Sequence, residues 1–269
     1  MKHDHHRING GEIMPDSWLI PEILLAALFI AGLLLYAFAA YYSSRRYKSW
    51  PWRRIFNFAA GSLCALAAVT GPLADLSHTD FRAHMAGHVL LGMLAPLLMV
   101  TGAPMTLLLR SLSTSAARRL TSFLKGGLPH LFFHPVFAAV LNLGGLWVLY
   151  ATPLFSVMHK NIFLYFIVHL HIFWAGFLFT AAIIYIDPVH HRTSPGFRTA
   201  VLILFMAGHS ILSKYLYAHP PGGVPAEEAE TGGMIMYYAG DVIDAVIIVI
   251  LCFQWYRAAR PSAKMAPAK

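Results

Sequence analysis

The chain has 269 residues, 58% of them hydrophobic and 12% charged, against roughly 45–50% apolar and 25% charged in soluble domains. A soluble globule is excluded, and the apolar residues fall in blocks of about 20, the length that crosses a bilayer as helix. The two cysteines, Cys64 and Cys252, both lie inside apolar blocks, which excludes a disulfide framework and a Cys-based zinc site. Any metal site would therefore draw on the 15 histidines, on Met or on carboxylates.

Seven apolar stretches are predicted as transmembrane helices, at about 18–41, 55–75, 85–109, 132–151, 161–186, 197–217 and 233–256. The first is expected to be retained as a helix rather than cleaved as a signal peptide, since a polar segment precedes it and the run from Leu24 to Ala40 is too long for an apolar signal core. Helices are required because lipid offers no partner for backbone N–H and C=O groups, and no barrel-like alternation is present. Basic residues then set the orientation. Arg45, Arg46, Lys48, Arg53 and Arg54 follow span one; Arg110, Arg118, Arg119 and Lys125 follow span three. Arg192 and Arg198 follow span five, and Arg257, Arg260, Lys264 and Lys269 form the tail. Fifteen basic residues thus fall on one side and five (Lys2, Arg7, Arg82, Lys160, Lys214) on the other. The expected architecture is an all-α integral membrane protein, a seven-transmembrane-helix bundle with its N-terminus outside and its C-terminus cytoplasmic. Residues 1–17 form a polar tail, 18–256 the membrane domain and 257–269 a basic cytoplasmic tail. The net charge of +8 is topological and no nucleic acid is implied. Absent any soluble domain, the expected location is the inner (plasma) membrane, multi-pass, with the lipid bilayer as the first partner.

Ionisable side chains inside spans are costly and default to functional readings. In HMAGHVLLGMLAPLLMVTGAP, His84 and His88 are spaced i, i+4 and share one helical face, so they can present two ligands to one ion. Met85 adds a thioether suited to Cu(I), although it points about 100° away. Span five carries His169 and His171, about 200° apart, so only one of them can face a given site. Span six contributes His209; span seven opens with Met234 and Met236 and continues to Asp241 and Asp244. At about 1.5 Å of rise per residue, His88 lies roughly 5 Å below the outer edge, and His169, His209 and Asp241 each lie roughly 12 Å down. His84, Met234 and Met236 lie above them, with His78 and His219 in adjoining outer loops. Met99, Met105, Met158 and Met206 read as packing residues, His3 to His6 as a tail, and His190 and His191 as a solvated loop.

An outward-facing His/Met pocket suits a soft or borderline transition metal. Copper, as Cu(I), fits best, and zinc also satisfies the donor set. The expected ligands are His84 and His88, completed by His169 and His209, with Met85, Met234 and Met236 as auxiliary sulfur donors and Asp241 orienting a histidine. Haem is the alternative cofactor, with two axial ligands drawn from His88, His169 and His209 in an electron-transfer or haem-handling protein. A structural docking factor without a cofactor is a third reading. A retinal protein is excluded because the run from Gly233 to Tyr256 contains no Lys. No Ser/His/Asp triad, Walker loop or dinucleotide fingerprint is present, so no enzyme is expected.

The segment from His84 to Pro104 resembles the CtaG family of polytopic cytochrome c oxidase assembly proteins. The likeness continues through HPVFAAVLNLGGLWVLYATPLF, YFIVHLHIFWAGFLFTAAIIYIDP, AGHS and GGMIMYYAGDVIDAV, roughly residues 18 to 256. The resemblance implies a seven-helix protein needed for biogenesis of haem–copper oxidase, handling copper for a centre on the outer side of that enzyme. It maps the family's His pair onto His84 and His88 and its span-five histidine onto His169. Cytochrome c oxidase subunits are then the expected partners, and a homodimer is compatible with this reading.

Overall fold

The computed structural model describes residues 19–189 and 192–260. The polar tail 1–17, the end of the basic tail at 261–269, the His3 to His6 cluster, and His190 and His191 lie outside the described residues. Among the described residues helix dominates and no strand occurs. The long helices are α1 (Leu19–Arg46), α2 (Trp52–Val69), α4 (Phe81–Val89) running on into α5 (Ala95–Thr101), α9 (Pro135–Ala151), α11 (Ile162–Ile183), α12 (Pro195–Ala218) and α13 (Ala226–Ala259). Short helices join them: α3 (Pro72–Ser77), α6 (Pro104–Ser111), α7 (Thr114–Leu124), α8 (Gly127–Phe132) and α10 (Leu154–Met158). Five helices are long and apolar enough to cross a membrane: α1, the continuous Phe81–Thr101, α11, α12 and α13. Two shorter ones, α2 with 18 residues and α9 with 17, pack among them.

Two expected spans end early for local reasons. The stretch expected to run from 55 to 75 stops at Val69, because Gly71 takes φ 75°, a left-handed conformation, and Pro72 opens a separate turn. The stretch expected at 85–109 stops at Thr101. Pro104 disfavours the helical region for the residue before it, and Ala103 adopts φ 54°, ψ 57°, after which α6 sets off anew. Other helices outrun expectation: α13 begins at Ala226, seven residues before 233, where Glu227 and Glu228 in its first turn complement the helix dipole.

Phe81–Thr101 is the central rod. In its apolar window 72% of residues are buried in protein, against 22% for α1, whose Leu34, Leu35 and Phe38 face outward as a lipid-facing surface does. It packs on α2, α11 and α13. Midway, Leu90–Leu94 forms a π-helical turn. Pro96 has no N–H to offer the turn before it, and a π turn is a common way to absorb such a break, often at functional sites. The freed Gly92 carbonyl faces Gly176 of α11 so closely that a Cβ on Gly176 would overlap it. Small residues are what allow two membrane helices to approach in this way.

Where the rod ends, Tyr36 of α1 donates from its hydroxyl to the Gly102 carbonyl at 2.8 Å and accepts from the Trp50 indole N–H at 3.0 Å. All three groups are buried, so Tyr36→Phe strands a donor and an acceptor together. The expected loss is about 2–3 kcal/mol, measured by chemical unfolding in detergent micelles.

Candidate metal centre

The candidate site lies at the end of the bundle where α4 begins. Asp80 caps α4, its carboxylate accepting from the Arg82 N–H at 2.8 Å, while Glu228 of α13 accepts from the Phe81 N–H at 2.9 Å. Hydrogen bonding to Arg82 holds the Asp80 carboxyl below its ordinary range. Two carboxylates thus fix the first turn of the helix that carries His84, Met85 and His88. All three are buried.

His84 is the hub of an aromatic and imidazole cluster. Its Nε2 shares a hydrogen bond of 3.1 Å with the Tyr150 hydroxyl of α9, and its ring centroid lies 6.4 Å from His169 and 5.8 Å from His159. His169 donates from Nδ1 to the Tyr165 carbonyl at 2.9 Å. A carbonyl only accepts, so Nδ1 carries the proton and Nε2 the lone pair, the tautomer a metal ligand needs. His88, one turn below His84, has no hydrogen-bond partner at either ring nitrogen. A buried imidazole left unsatisfied costs about 1–3 kcal/mol, which a ligand on the ring would offset. His209 of α12 is likewise buried with Nε2 unpartnered, and it lies over Gly240 of α13, where a Cβ would come within 2.8 Å of its Cε1. These four buried histidines, His84 and His169 side by side, His88 one turn further along α4 and His209 against Gly240 of α13, make up a file.

The remaining expected ligands distribute differently. Met236 is fully buried, on the α13 stripe that also carries Gly240. Met85 is fully buried but turns toward Gly232 of α13. Met234 is 43% exposed and lines a separate small cavity of about 240 Å³ beside Lys214, Tyr217 and Tyr237, so the structure does not bring it to the histidines. Asp241 is only half-buried; the carboxylate that enters the interior is Asp244, 1% exposed, one of its oxygens without a hydrogen-bond partner. Asp244 lies one turn beyond Gly240, the residue against His209. His171 turns away from this file and covers Gly145 of α9.

Three further residues complete the outer part. His78, at the end of α3, donates to Glu22 of α1 at 2.9 Å, both side chains being nearly buried, and its ring stacks on Tyr165 at 5.3 Å. His159, in the link from α10 to α11, donates from Nδ1 to the Phe155 carbonyl at 2.9 Å. Donation from Nδ1 leaves Nε2 with the lone pair in the neutral ring, and burial keeps the His159 pKa below the ordinary range. No spacing signal marks Glu22 or His159, which reach the cluster through tertiary packing of α1 and the α10–α11 link.

Among the described residues, no three His, Cys, Asp or Glu side chains converge as a group able to hold a metal ion. Pairs do approach ligand spacing. With a metal–nitrogen distance of about 2.0 Å, two imidazoles on opposite sides of one ion have ring centroids roughly 6.3 Å apart, and His84 and His169 stand at 6.4 Å.

This chain is similar to uncharacterized mycobacterial proteins. It is 28% identical over 260 residues to an uncharacterized protein of Mycobacterium bovis, covering 88% of this chain and 38% of that one. It is 26% identical over 232 residues to an uncharacterized protein of Mycobacterium leprae, covering 78% of this chain and 35% of that one. The chain thus spans little more than a third of these relatives. No solved structure matches it significantly. Residues 21–258, which hold every histidine of the file, match the cytochrome c oxidase caa3 assembly factor family, and the chain belongs to that family.

Proposed function

We propose that this protein is a multi-pass plasma-membrane assembly factor for a caa3-type cytochrome c oxidase, which receives Cu(I) at an outward-facing histidine site and passes it to an oxidase subunit. In this reading α2 and α9 also cross the bilayer, giving seven spans with the N-terminus outside. The asymmetry of basic residues supports that orientation. The single observation that carries the copper reading is the buried file begun by His84 and His88, in which both nitrogens of His88 are unpartnered. His84 and His88 are the primary ligands, and His169 and His209 hold the ion at successive depths. Met236 and Met85 are buried sulfur donors on α13 and α4, and Met93 shares the contact of His209 with Gly240. Asp244, rather than the half-buried Asp241, is the carboxylate that enters the interior one turn beyond Gly240, where its charge offsets a cation at His209; the hydrogen bond to a histidine expected of Asp241 has no counterpart there. Soft donors without thiolate favour binding weak enough for transfer.

A b-type haem would need room for a porphyrin between two of these rings. His209 lies against Gly240 at a spacing a single Cβ would close, and a Cβ on Gly92, beside His88, would press on Ile172 of α11 at 2.9 Å. Copper analysis of the detergent-purified protein, paired with its optical spectrum, separates the readings. The expected result is one copper per chain and no Soret band, with copper lost in the His84→Ala/His88→Ala variant. Equal copper retention by that variant would sink the copper site. A Soret band that disappears on replacing His88 or His169 would establish haem instead, and unaltered oxidase copper content in every histidine variant would leave a docking role alone.

Asp244 carries its own expected outcome. Asp244→Asn keeps the shape and removes the charge, so copper affinity should fall by roughly 10–100-fold, the scale of outer-sphere partners of metal ligands. Competition titration with a Cu(I) chelator measures it; unchanged affinity would remove Asp244 from the site.

A further inference from the structure

At the end of the bundle opposite the histidines, a cavity of about 480 Å³ opens between the α5–α6 junction, α7, the start of α9 and the second half of α11. Its walls are apolar, among them Val100, Leu108, Leu124, Phe177 and Ala181. The α11 lining runs from Trp174 to Ile184, ten residues or about 15 Å along the helix axis, which is the thickness of one leaflet's hydrocarbon. The polar lining residues are Thr121, His130, His134, Asp187, Arg192 and Thr193, of which Asp187, Arg192 and Thr193 follow the end of α11 and mark a polar mouth. The Asp187 carboxylate is already engaged, accepting from the backbone N–H groups of Met105 at 3.1 Å and Thr106 at 2.7 Å and from the Thr106 hydroxyl. Arg192 is exposed and has no acidic partner among the described residues.

Beside this polar mouth lies α7, which carries Arg118 and Arg119 and has no buried residue. Phe123 on it is 68% exposed. A helix with a basic face and an unburied apolar face rests in a membrane interface, and basic pockets between membrane helices on the cytoplasmic side take anionic lipid headgroups. We propose that this slot binds an anionic phospholipid, one acyl chain lying along α11 from Ile184 toward Trp174 and the phosphate held at Arg192. The inner leaflet as its source rests on the orientation proposed above; the binding itself is independent of the copper site.

Native mass spectrometry of the full-length protein in detergent, titrated with phosphatidylglycerol or phosphatidylcholine of matched chains, tests this. The expected result is one retained lipid per chain, with phosphatidylglycerol favoured roughly fivefold, the effect of one arginine at the headgroup. Arg192→Gln should equalise the two lipids, and Ala181→Trp, which fills the slot, should abolish retention of both. If Ala181→Trp does not accumulate, Leu108→Trp blocks the same slot from α6. Copper binding should match the parent in all three variants, so failure here and failure of the copper site are separately visible. Equal retention of both lipids by the parent, or undiminished retention in a blocked variant, would overturn the proposal.

Discussion

Gly176→Ala is expected to cost about 3 kcal/mol or more, or to prevent the protein from accumulating. A Cβ at position 176 would overlap the Gly92 carbonyl oxygen and lie 2.9 Å from the Gly92 carbonyl carbon and 3.2 Å from the Pro96 ring. The first two are backbone atoms and the third belongs to a closed ring, so no rotamer change relieves the contact; α11 must move off the central rod. Its displacement would carry His169 away from His84, since both helices enter the site at this crossing. Copper binding should therefore fall with stability. Gly144→Ala on α9 is the control: nothing lies within 4 Å of its Cβ, and alanine is the better helix former, so stability should be unchanged or slightly raised. Thermal unfolding of both variants in detergent reads the difference. A Gly176→Ala protein as stable as the parent would mean that the close crossing of α5 and α11 does not hold the bundle together.

His88→Leu separates stability from function in the opposite direction. The ring is 4% exposed with neither nitrogen satisfied, so the metal-free protein keeps an unmet polar group in its core. An apolar side chain of similar size removes that cost, and the metal-free variant should gain about 1–3 kcal/mol. Cu(I) affinity should fall at least ~100-fold, because a ligand rather than its hydrogen-bonding partner is lost. Stability gained at the expense of activity is the usual sign of a residue retained for function. A destabilised His88→Leu protein would show that the imidazole has a structural partner, and the argument for a ligand on that ring would lose its basis.

The helical class and most of the bundle are legible because lipid allows few structures and hydropathy reports the spans directly. The His84/His88 pair is legible because a local period decides it; counting rise along each helix sets His169 and His209 level with each other, whereas His169 stands beside His84 and His209 against Gly240. Rotational phase is less accessible. Asp241 and Asp244 are three residues apart, and hydropathy does not say which enters the core. The small residues do: Gly233 and Gly240 precede Asp244 on the face that packs on α12, where Ser213, Tyr217 and His209 come close, and that stripe excludes Met234. The break at Ala103 was readable from Gly102 and Pro104, since a proline restricts the residue before it. Glu22, His78 and His159 meet only because α1, α3 and the α10–α11 link are brought together in space, and no periodicity encodes that.

The proposed passage of copper through these histidines to the oxidase leaves its mark on the oxidase itself. It is tested most directly by the copper-to-haem ratio of the oxidase isolated from cells whose only copy of this protein is the His84→Ala/His88→Ala variant, accumulated to the parental level in the membrane. The account expects an oxidase that keeps its haem and lacks most of the copper of its outer centre, restored when the parental chain is supplied. An oxidase with its full copper complement in those cells would contradict it.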